Sequence, residues 1–260
     1  MRSVLLEQLF DYAGVFPPAA LPVAEAEAEY RQAVASEHGW VLGPMLALAS
    51  QRDELVDPGR VGLIADAPID PAAGPLTQVE AKVTGDSAAA RIAELQQLAP
   101  IVYVESTLSG DLSFLDAVAA ARAAGADARA KIRTGGATAA SFPSPDEVTG
   151  FILACVARAL PFKATAGLHH PVRQQSAVPH ATEHGFLNML AATRAAIAGD
   201  RDAVRGALIA SEIAAFDVPT ATWRGVGADV DPAQVRATFT SIGSCSFYEP
   251  TGYLRDLGML

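Results

Sequence analysis

Residues 128–133 read Ala-Arg-Ala-Lys-Ile-Arg, a Thr-Gly-Gly turn follows, and a second short run, Phe-Lys-Ala-Thr, comes at 162–165. Residues 145–160, between the two runs, have the pattern of a helix, because Ser144 can cap it and Pro145 suits its first position. A strand, a helix and a further strand form the unit from which parallel sheets are built. This stretch therefore predicts one such unit.

The same alternation of short apolar runs and alanine-rich stretches extends along the chain. Its 260 residues are close to the length of about 250 that one α/β barrel typically needs. We predict a single domain, 1–260, of the α/β class with the (β/α)8 TIM-barrel fold. The predicted strands are 11–16, 42–49, 61–65, 79–84, 101–106, 128–133, 162–165 and 242–247, and the predicted helices are 22–36, 88–98, 112–124, 145–160, 185–198 and 202–216.

The regular spacing ends after residue 165, because the next predicted strand begins only at residue 242. We interpret residues 166–240 as an extended loop with extra helices, inserted before the last strand. In a barrel, such an elaborated loop commonly covers the active site. An insertion without a functional role is the alternative.

Composition limits the partners and the compartment. The net charge is −10, and an acidic protein repels nucleic acid, so we expect no nucleic-acid partner. Two cysteines do not make a disulfide framework. No apolar run reaches the roughly 18–20 residues that span a bilayer, and an acidic residue interrupts the N-terminal sequence before a signal peptide could form. We expect a cytoplasmic protein that binds a small molecule, and the alanine-rich helices would suit a homo-oligomer.

Charged residues occupy one face of several predicted strands. Arg129, Lys131 and Arg133 alternate with apolar residues, and Lys163 does so on the next strand. Buried parallel strands are normally apolar on both faces, so these charges must pair inside the barrel or serve a site. The functional interpretation is favoured for Lys131, Arg133 and Lys163, because each lies at the carboxyl end of its strand.

Two neighbouring lysines have a specific chemical use. A nearby cation and desolvation both lower the pKa of a lysine, and the neutral amine can attack a carbonyl group to form a Schiff base. Glu105, on a further strand, could move the protons that this reaction requires. We therefore predict chemistry centred on Lys131 and Lys163.

Three short motifs resemble class I deoxyribose-phosphate aldolase. They are Lys-Ile-Arg-Thr-Gly from Lys131, Phe-Lys-Ala-Thr-Ala-Gly from Phe162, and Gly-Ser-Cys-Ser from Gly243. The resemblance covers about residues 79–167 and the last strand, and Lys82 stands where the family has an acidic residue. It implies that Lys131 forms the Schiff base, that Lys163 depresses its pKa, and that the last strand helps to hold a phosphate.

The leading hypothesis is an aldolase-like lyase of carbohydrate metabolism that acts on a small oxygenated carbonyl compound, with or without an anionic group. No dinucleotide or phosphate-loop pattern is present, so no organic cofactor is expected. We predict substrate contacts by these residues: Arg133, Thr134, Gly135, Gly136, Thr165, Gly167, Arg173, Gly243 and Ser244.

Four histidines follow the seventh predicted strand. His169 and His170 could act as general acid or base, or they could be ordinary polar loop residues. His180 and His184 have the spacing of neighbours on a helix and could bind a divalent metal. A metal-dependent lyase or hydrolase is therefore an alternative function, and a non-catalytic barrel that binds an anionic metabolite or a protein is another. We expect Cys245 to pack as a small apolar residue, although a loop histidine could serve as its base.

Overall fold

The computed structural model describes residues 2–71, 74–107 and 110–260. In these residues, eight parallel strands close into a barrel surrounded by helices, which confirms the predicted (β/α)8 fold. The closed order is β1-β12-β7-β6-β5-β4-β3-β2. The strands are β1 Phe10–Tyr12, β2 Leu42–Leu48, β3 Val61–Ile64, β4 Gln78–Val83, β5 Ile101–Ser106, β6 Asp127–Arg133, β7 Phe162–Thr165, β8 Gln174–Gln175, β9 Thr182–Glu183, β10 Phe216–Asp217, β11 Thr222–Trp223 and β12 Phe239–Ser244.

The first and last barrel strands begin and end earlier than predicted. β1 stops at Tyr12, and a turn follows in which the Phe16 amide donates to the Ala13 carbonyl. β12 starts at Phe239, whose ring packs on Phe162 of β7 at 5.2 Å, and ends where a short turn forms at Ser244. Tertiary packing and local turns, which the apolar pattern does not record, set these limits.

Helices cover the outside of the barrel. Two short ones, α7 and α8, flank β12 and were not predicted. The predicted cap of α4 is present, because Ser144 Oγ accepts a hydrogen bond from the Glu147 amide at 3.2 Å. The helices are α1 Val23–Ala35, α2 Ala88–Leu95, α3 Phe114–Ala123, α4 Pro145–Ala157, α5 Phe186–Ile197, α6 Arg201–Ile209, α7 Pro232–Thr238 and α8 Tyr248–Asp256.

The segment between β7 and β12 contains α5, α6, α7 and two small antiparallel hairpins, β8–β9 and β10–β11. α5 is buried around nearly its whole circumference, and its buried residues include the polar side chains of Asn188, Thr193 and Arg194. It packs on the barrel wall, where Phe186 meets Phe10 of β1 edge to face at 6.0 Å, and α6 packs against it. The part of this segment nearest the carboxyl ends of the strands is therefore the loop before α5, residues 166–185.

No helix within residues 2–71, 74–107 and 110–260 is long and apolar enough to cross a membrane.

Candidate active site

The two predicted lysines lie side by side inside the barrel. β6 and β7 pair so that Lys131 is directly opposite Lys163. Their side chains are 3% and 0% exposed. Lys131 Nζ donates to Glu80 Oε2 at 2.7 Å, and Lys163 Nζ donates to Glu80 Oε1 at 2.6 Å. One carboxylate on β4 therefore joins the two amino groups.

Asp11 completes this cluster from β1. Lys163 Nζ donates to Asp11 Oδ2, which also accepts from Ser241 Oγ at 2.8 Å. The facing residue of β2 is Gly43, where a Cβ atom would lie 2.2 Å from Asp11 Oδ1, so only glycine leaves room for the carboxylate. Asp11 is thus a buried charge partner of Lys163. Sequence reasoning missed this role, because the three-residue strand β1 is too short to reveal which face is buried.

Burial and ion pairing shift the pKa values of Lys163 and Glu80 in opposite directions. Burial disfavours the ammonium of Lys163, but the charges of Asp11 and Glu80 outweigh it and raise the pKa of this lysine. Burial likewise disfavours the Glu80 carboxylate, but Lys131 and Lys163 lower its pKa to about 2. Both Lys163 and Glu80 are therefore ionised at neutral pH, and Lys163 presents a fixed positive charge beside Lys131.

Glu105 of β5 lies beside Lys131 of β6, because the two strands pair with Val104 opposite Ala130. Its Oε2 atom is 3.7 Å from Lys131 Nζ and accepts no hydrogen bond within the described part of the chain. Its Oε1 atom is 4.0 Å from Arg133 Nη2, and the Arg133 side chain is 47% exposed. Lys82 is exposed as well, and the acid of β4 that contacts both lysines is Glu80.

The side chains nearer the amino-terminal ends of the strands than the two lysines bond to one another, which indicates a structural role. Arg129 pairs with Asp127 at 2.6 Å and donates to the Tyr103 hydroxyl at 3.0 Å. The Tyr103 ring lies 5.1 Å from Lys163 Nζ. A cavity of about 850 Å³ opens at this amino-terminal end of the barrel, and Asp11 is one of the residues that line it. Lys131, Glu105 and Arg133 do not line this cavity, and active sites of barrels of this type form at the carboxyl ends of the strands.

Several residues predicted to bind substrate instead hold the loops together. Thr134 Oγ1 donates to the Ala166 carbonyl at 2.6 Å, which ties the loop after β6 to the loop after β7. A Cβ atom at Gly135 would lie 3.1 Å from the backbone of Ala166, and one at Gly136 would lie 2.6 Å from Ser141. Ser244 Oγ donates to the Ser246 carbonyl at 2.7 Å. The hydroxyl protons of Thr134 and Ser244 are therefore directed to backbone carbonyl groups.

Gly243 and Thr165 form a close contact that mutation can test. A Cβ atom at Gly243 would lie 2.7 Å from Thr165 Oγ1, so Gly243→Ala should force Thr165 to move and destabilise the fold by about 1–3 kcal/mol. Gly150→Ala is the matched control, because nothing lies within 4 Å of that position in α4 and alanine there should stabilise by about 0.5–1 kcal/mol. Urea denaturation measures both. An equal cost of Gly243→Ala in a Thr165→Ala background would show that Thr165 is not the obstacle.

The predicted metal ligands do not converge. His180 and His184 precede α5 instead of lying on a helix, and His180 is exposed. His184 uses both ring nitrogens, with the Pro143 carbonyl at 3.1 Å and Arg173 at 3.4 Å, and burial lowers its pKa to about 4. Arg173 is thereby directed to His184. In the described ranges, no three or more His, Cys, Asp or Glu side chains are grouped to hold a metal ion.

His169 and His170 lie at the carboxyl end of the barrel. His169 Nδ1 is 2.8 Å from Glu249 Oε2, and its Nε2 is 3.7 Å from Cys245 Sγ. His170 contacts the Tyr253 hydroxyl at 2.8 Å and Glu183 at 3.3 Å. Cys245 was expected to pack as a small apolar residue, with a loop histidine as its base in the alternative interpretation, and its sulfur faces the imidazole of His169. The acidic partner of His169 is Glu249, which lies in the first turn of α8, a helix that was not predicted.

The backbone that leads to His169 is left-handed over three consecutive residues. Ala166, Gly167 and Leu168 have φ values of +64°, +77° and +62°. Such a conformation costs roughly 1–2 kcal/mol for each residue other than glycine. Gly167 therefore serves to shape this turn, and the turn brings His169 back towards β12.

Comparison of the chain with protein-family models, with curated proteins and with solved structures finds no match.

Proposed function

We propose that the protein is an aldolase-like lyase in which Lys131 forms a Schiff base with a small oxygenated carbonyl compound. One observation carries the proposal: two buried lysines on neighbouring strands share the carboxylate of Glu80. Lys131 Nζ also lies 3.7 Å from Glu105, whose side chain can take its proton, and the amine so formed can attack a carbonyl group. Barrels of this type are commonly enzymes, with the site at this end of the strands.

Glu105 takes the proton that Lys131 must lose. Its Oε2 atom is 3.7 Å from Lys131 Nζ and is free to accept it. The neutral amine attacks the carbonyl carbon, and one proton passes from the attacking nitrogen to the former carbonyl oxygen. The proton held by Glu105 then goes to the same oxygen, which leaves as water while the carbon–nitrogen double bond of the protonated imine forms. Glu105 then removes the hydroxyl proton of the fragment to be released, and the carbon–carbon bond breaks to leave an enamine. The enamine recovers that proton, and water hydrolyses the imine to free Lys131.

Arg133 is suited to hold an anionic group on the substrate. Its guanidinium extends from the carboxyl end of β6, is 47% exposed and lies 4.0 Å from Glu105. A guanidinium binds phosphate or carboxylate through two parallel hydrogen bonds. With its anionic group bound to Arg133, a substrate would therefore place its carbonyl group on the side of Arg133 that faces Lys131.

Borohydride trapping tests this proposal. Purified protein is incubated with acetaldehyde, dihydroxyacetone, pyruvate or a simple sugar phosphate, reduced, and measured by intact mass spectrometry and peptide mapping. We expect one stable adduct on Lys131 with at least one of these compounds. The absence of an adduct with every compound would overturn the Schiff-base mechanism, and binding of a compound without an adduct would indicate a non-catalytic barrel.

A further inference from the structure

Three side chains that the lyase mechanism does not use meet at the carboxyl end of the barrel. His169 follows β7, Cys245 directly follows β12, and Glu249 lies in the first turn of α8. Cys245 Sγ is 3.7 Å from His169 Nε2, and His169 Nδ1 is 2.8 Å from Glu249 Oε2. A thiol, an imidazole and a carboxylate are therefore connected in a row.

The fold holds each member in place. The left-handed turn at 166–168 fixes the direction of His169, and the backbone amide of Glu249 donates to Ser246 Oγ at 3.2 Å. The second oxygen of Glu249 lies 4.0 Å from His170 Nε2. Cys245 is 8% exposed and the His169 side chain 13% exposed. The imidazole is thus largely shielded from water, while both groups keep some access to solvent.

The two contacts of His169 use opposite ring nitrogens. A proton on Nδ1 bonds to Glu249, which turns Nε2 towards the sulfur. This is the order of nucleophile, base and orienting acid found in enzymes that use a serine or cysteine nucleophile. Burial lowers the pKa of His169, but Cys245 and Glu249 together raise it to about 9. At neutral pH the sulfur therefore faces an imidazolium.

Tyr12 adds no negative charge to this centre. It lies on β1 opposite Ser244 in the strand register and is close enough to Cys245 to interact by charge. Burial, followed by the charge of Glu29, raises the pKa of Tyr12, so its hydroxyl stays neutral.

We propose that Cys245, His169 and Glu249 form a nucleophilic thiol centre that accepts acyl groups from small activated acyl compounds, namely thioesters and oxygen esters. The sulfur attacks the acyl carbon, a carbon–sulfur bond forms, and the bond to the leaving group breaks as His169 protonates that group. His169 then takes a proton from water, which attacks the thioester, releases a carboxylic acid and restores the thiol. This activity does not depend on imine formation at Lys131.

Alkylation with iodoacetamide tests the nucleophile, and the chain supplies its own control. Cys155 of α4 is fully buried, and burial raises its pKa. In the native protein at pH 7, peptide mapping should find Cys245 alkylated and Cys155 intact. His169→Gln should slow alkylation of Cys245 by at least about tenfold, because the sulfur loses the imidazole that lies 3.7 Å away and can take its proton. His180→Gln, which changes an exposed histidine of the same loop, should not alter the rate.

If His169→Gln does not fold, Glu249→Gln provides a second test. This variant should fold, because the Glu249 side chain is 42% exposed. As a positioning residue, Glu249 should affect the pH profile: its loss should move the alkylation curve of Cys245 towards higher pH. Equal alkylation rates and profiles in the wild type and the folded variants would overturn the proposed thiol–imidazole pair.

The acyl-transfer step is tested with p-nitrophenyl acetate. We expect a burst of p-nitrophenolate equal to the amount of protein and an acetyl group on Cys245, both absent in Cys245→Ser. Rapid alkylation of Cys245 without acetylation would overturn acyl transfer, and an acetyl group found only on lysines would overturn it as well.

Discussion

Glu80→Gln is expected to lower the free energy of unfolding by about 3–5 kcal/mol, the cost of removing one partner from a buried ion pair. Glu80 is fully buried and bonds to both Lys131 and Lys163, and glutamine would leave two buried ammonium groups with one less negative charge. Urea denaturation followed by circular dichroism measures the loss. Glu94→Gln makes the same chemical change in a pair with Arg91 that is largely exposed to solvent, and should cost less than about 1 kcal/mol.

The pH dependence of this loss has a definite sign. The pKa of Glu80 is lowered by folding to about 2, so its contribution to stability is complete above its ordinary pKa of 4.5 and disappears as the pH falls towards 2. The difference in stability between the wild type and Glu80→Gln should therefore be constant from pH 7 to about 5 and shrink below that. A difference that grows in acid would contradict the assigned ionisation of Glu80.

Lys131→Arg is expected to abolish the borohydride-dependent adduct entirely. Arginine keeps the positive charge that Glu80 and Glu105 face, but a guanidinium does not form a Schiff base under these conditions. Intact mass spectrometry after reduction measures the remaining adduct. Any lyase activity that accompanies the adduct should disappear with it.

Two further variants separate the role of Lys131 from those of its neighbours. Lys82→Arg changes an exposed lysine on the same face of β4 as Glu80 and should leave the adduct on Lys131 intact. Glu105→Gln should retain slow imine formation but lose about 10²–10⁴-fold in rate, the range for removal of a general acid–base group. An adduct of unchanged yield in Lys131→Arg would move the nucleophile to another lysine and overturn the assignment.

The strands and the inward direction of the two lysines could be predicted from sequence, because both follow from local periodicity. Alternation with period two sends Lys131 and Lys163 to one face of their strands, whatever the rest of the chain does. The apolar runs of β4 to β7 also mark the strand positions to within one or two residues. The helix cap at Ser144 is equally local, since its partner Glu147 is three residues away.

Contacts between distant parts of the chain could not be predicted in this way. Thr134 has the position of a substrate ligand in sequence, yet its hydroxyl is directed to the Ala166 carbonyl, 32 residues away. His180 and His184 have helical spacing, but α5 begins only at Phe186. In both cases the local pattern is compatible with several partners, and packing of the loops selects one.

The sequence by itself determined an α/β barrel with charged residues at the ends of its strands. Only the tertiary structure decided which polar side chains are in contact. Asp11 contacts Lys163, 152 residues away in sequence, and Cys245 contacts His169, 76 residues away. These contacts depend on the order in which eight strands close and on the register between β1, β12 and β7. Closure of the barrel is a property of the whole chain, whereas the periodicity of a strand is set by its own few residues.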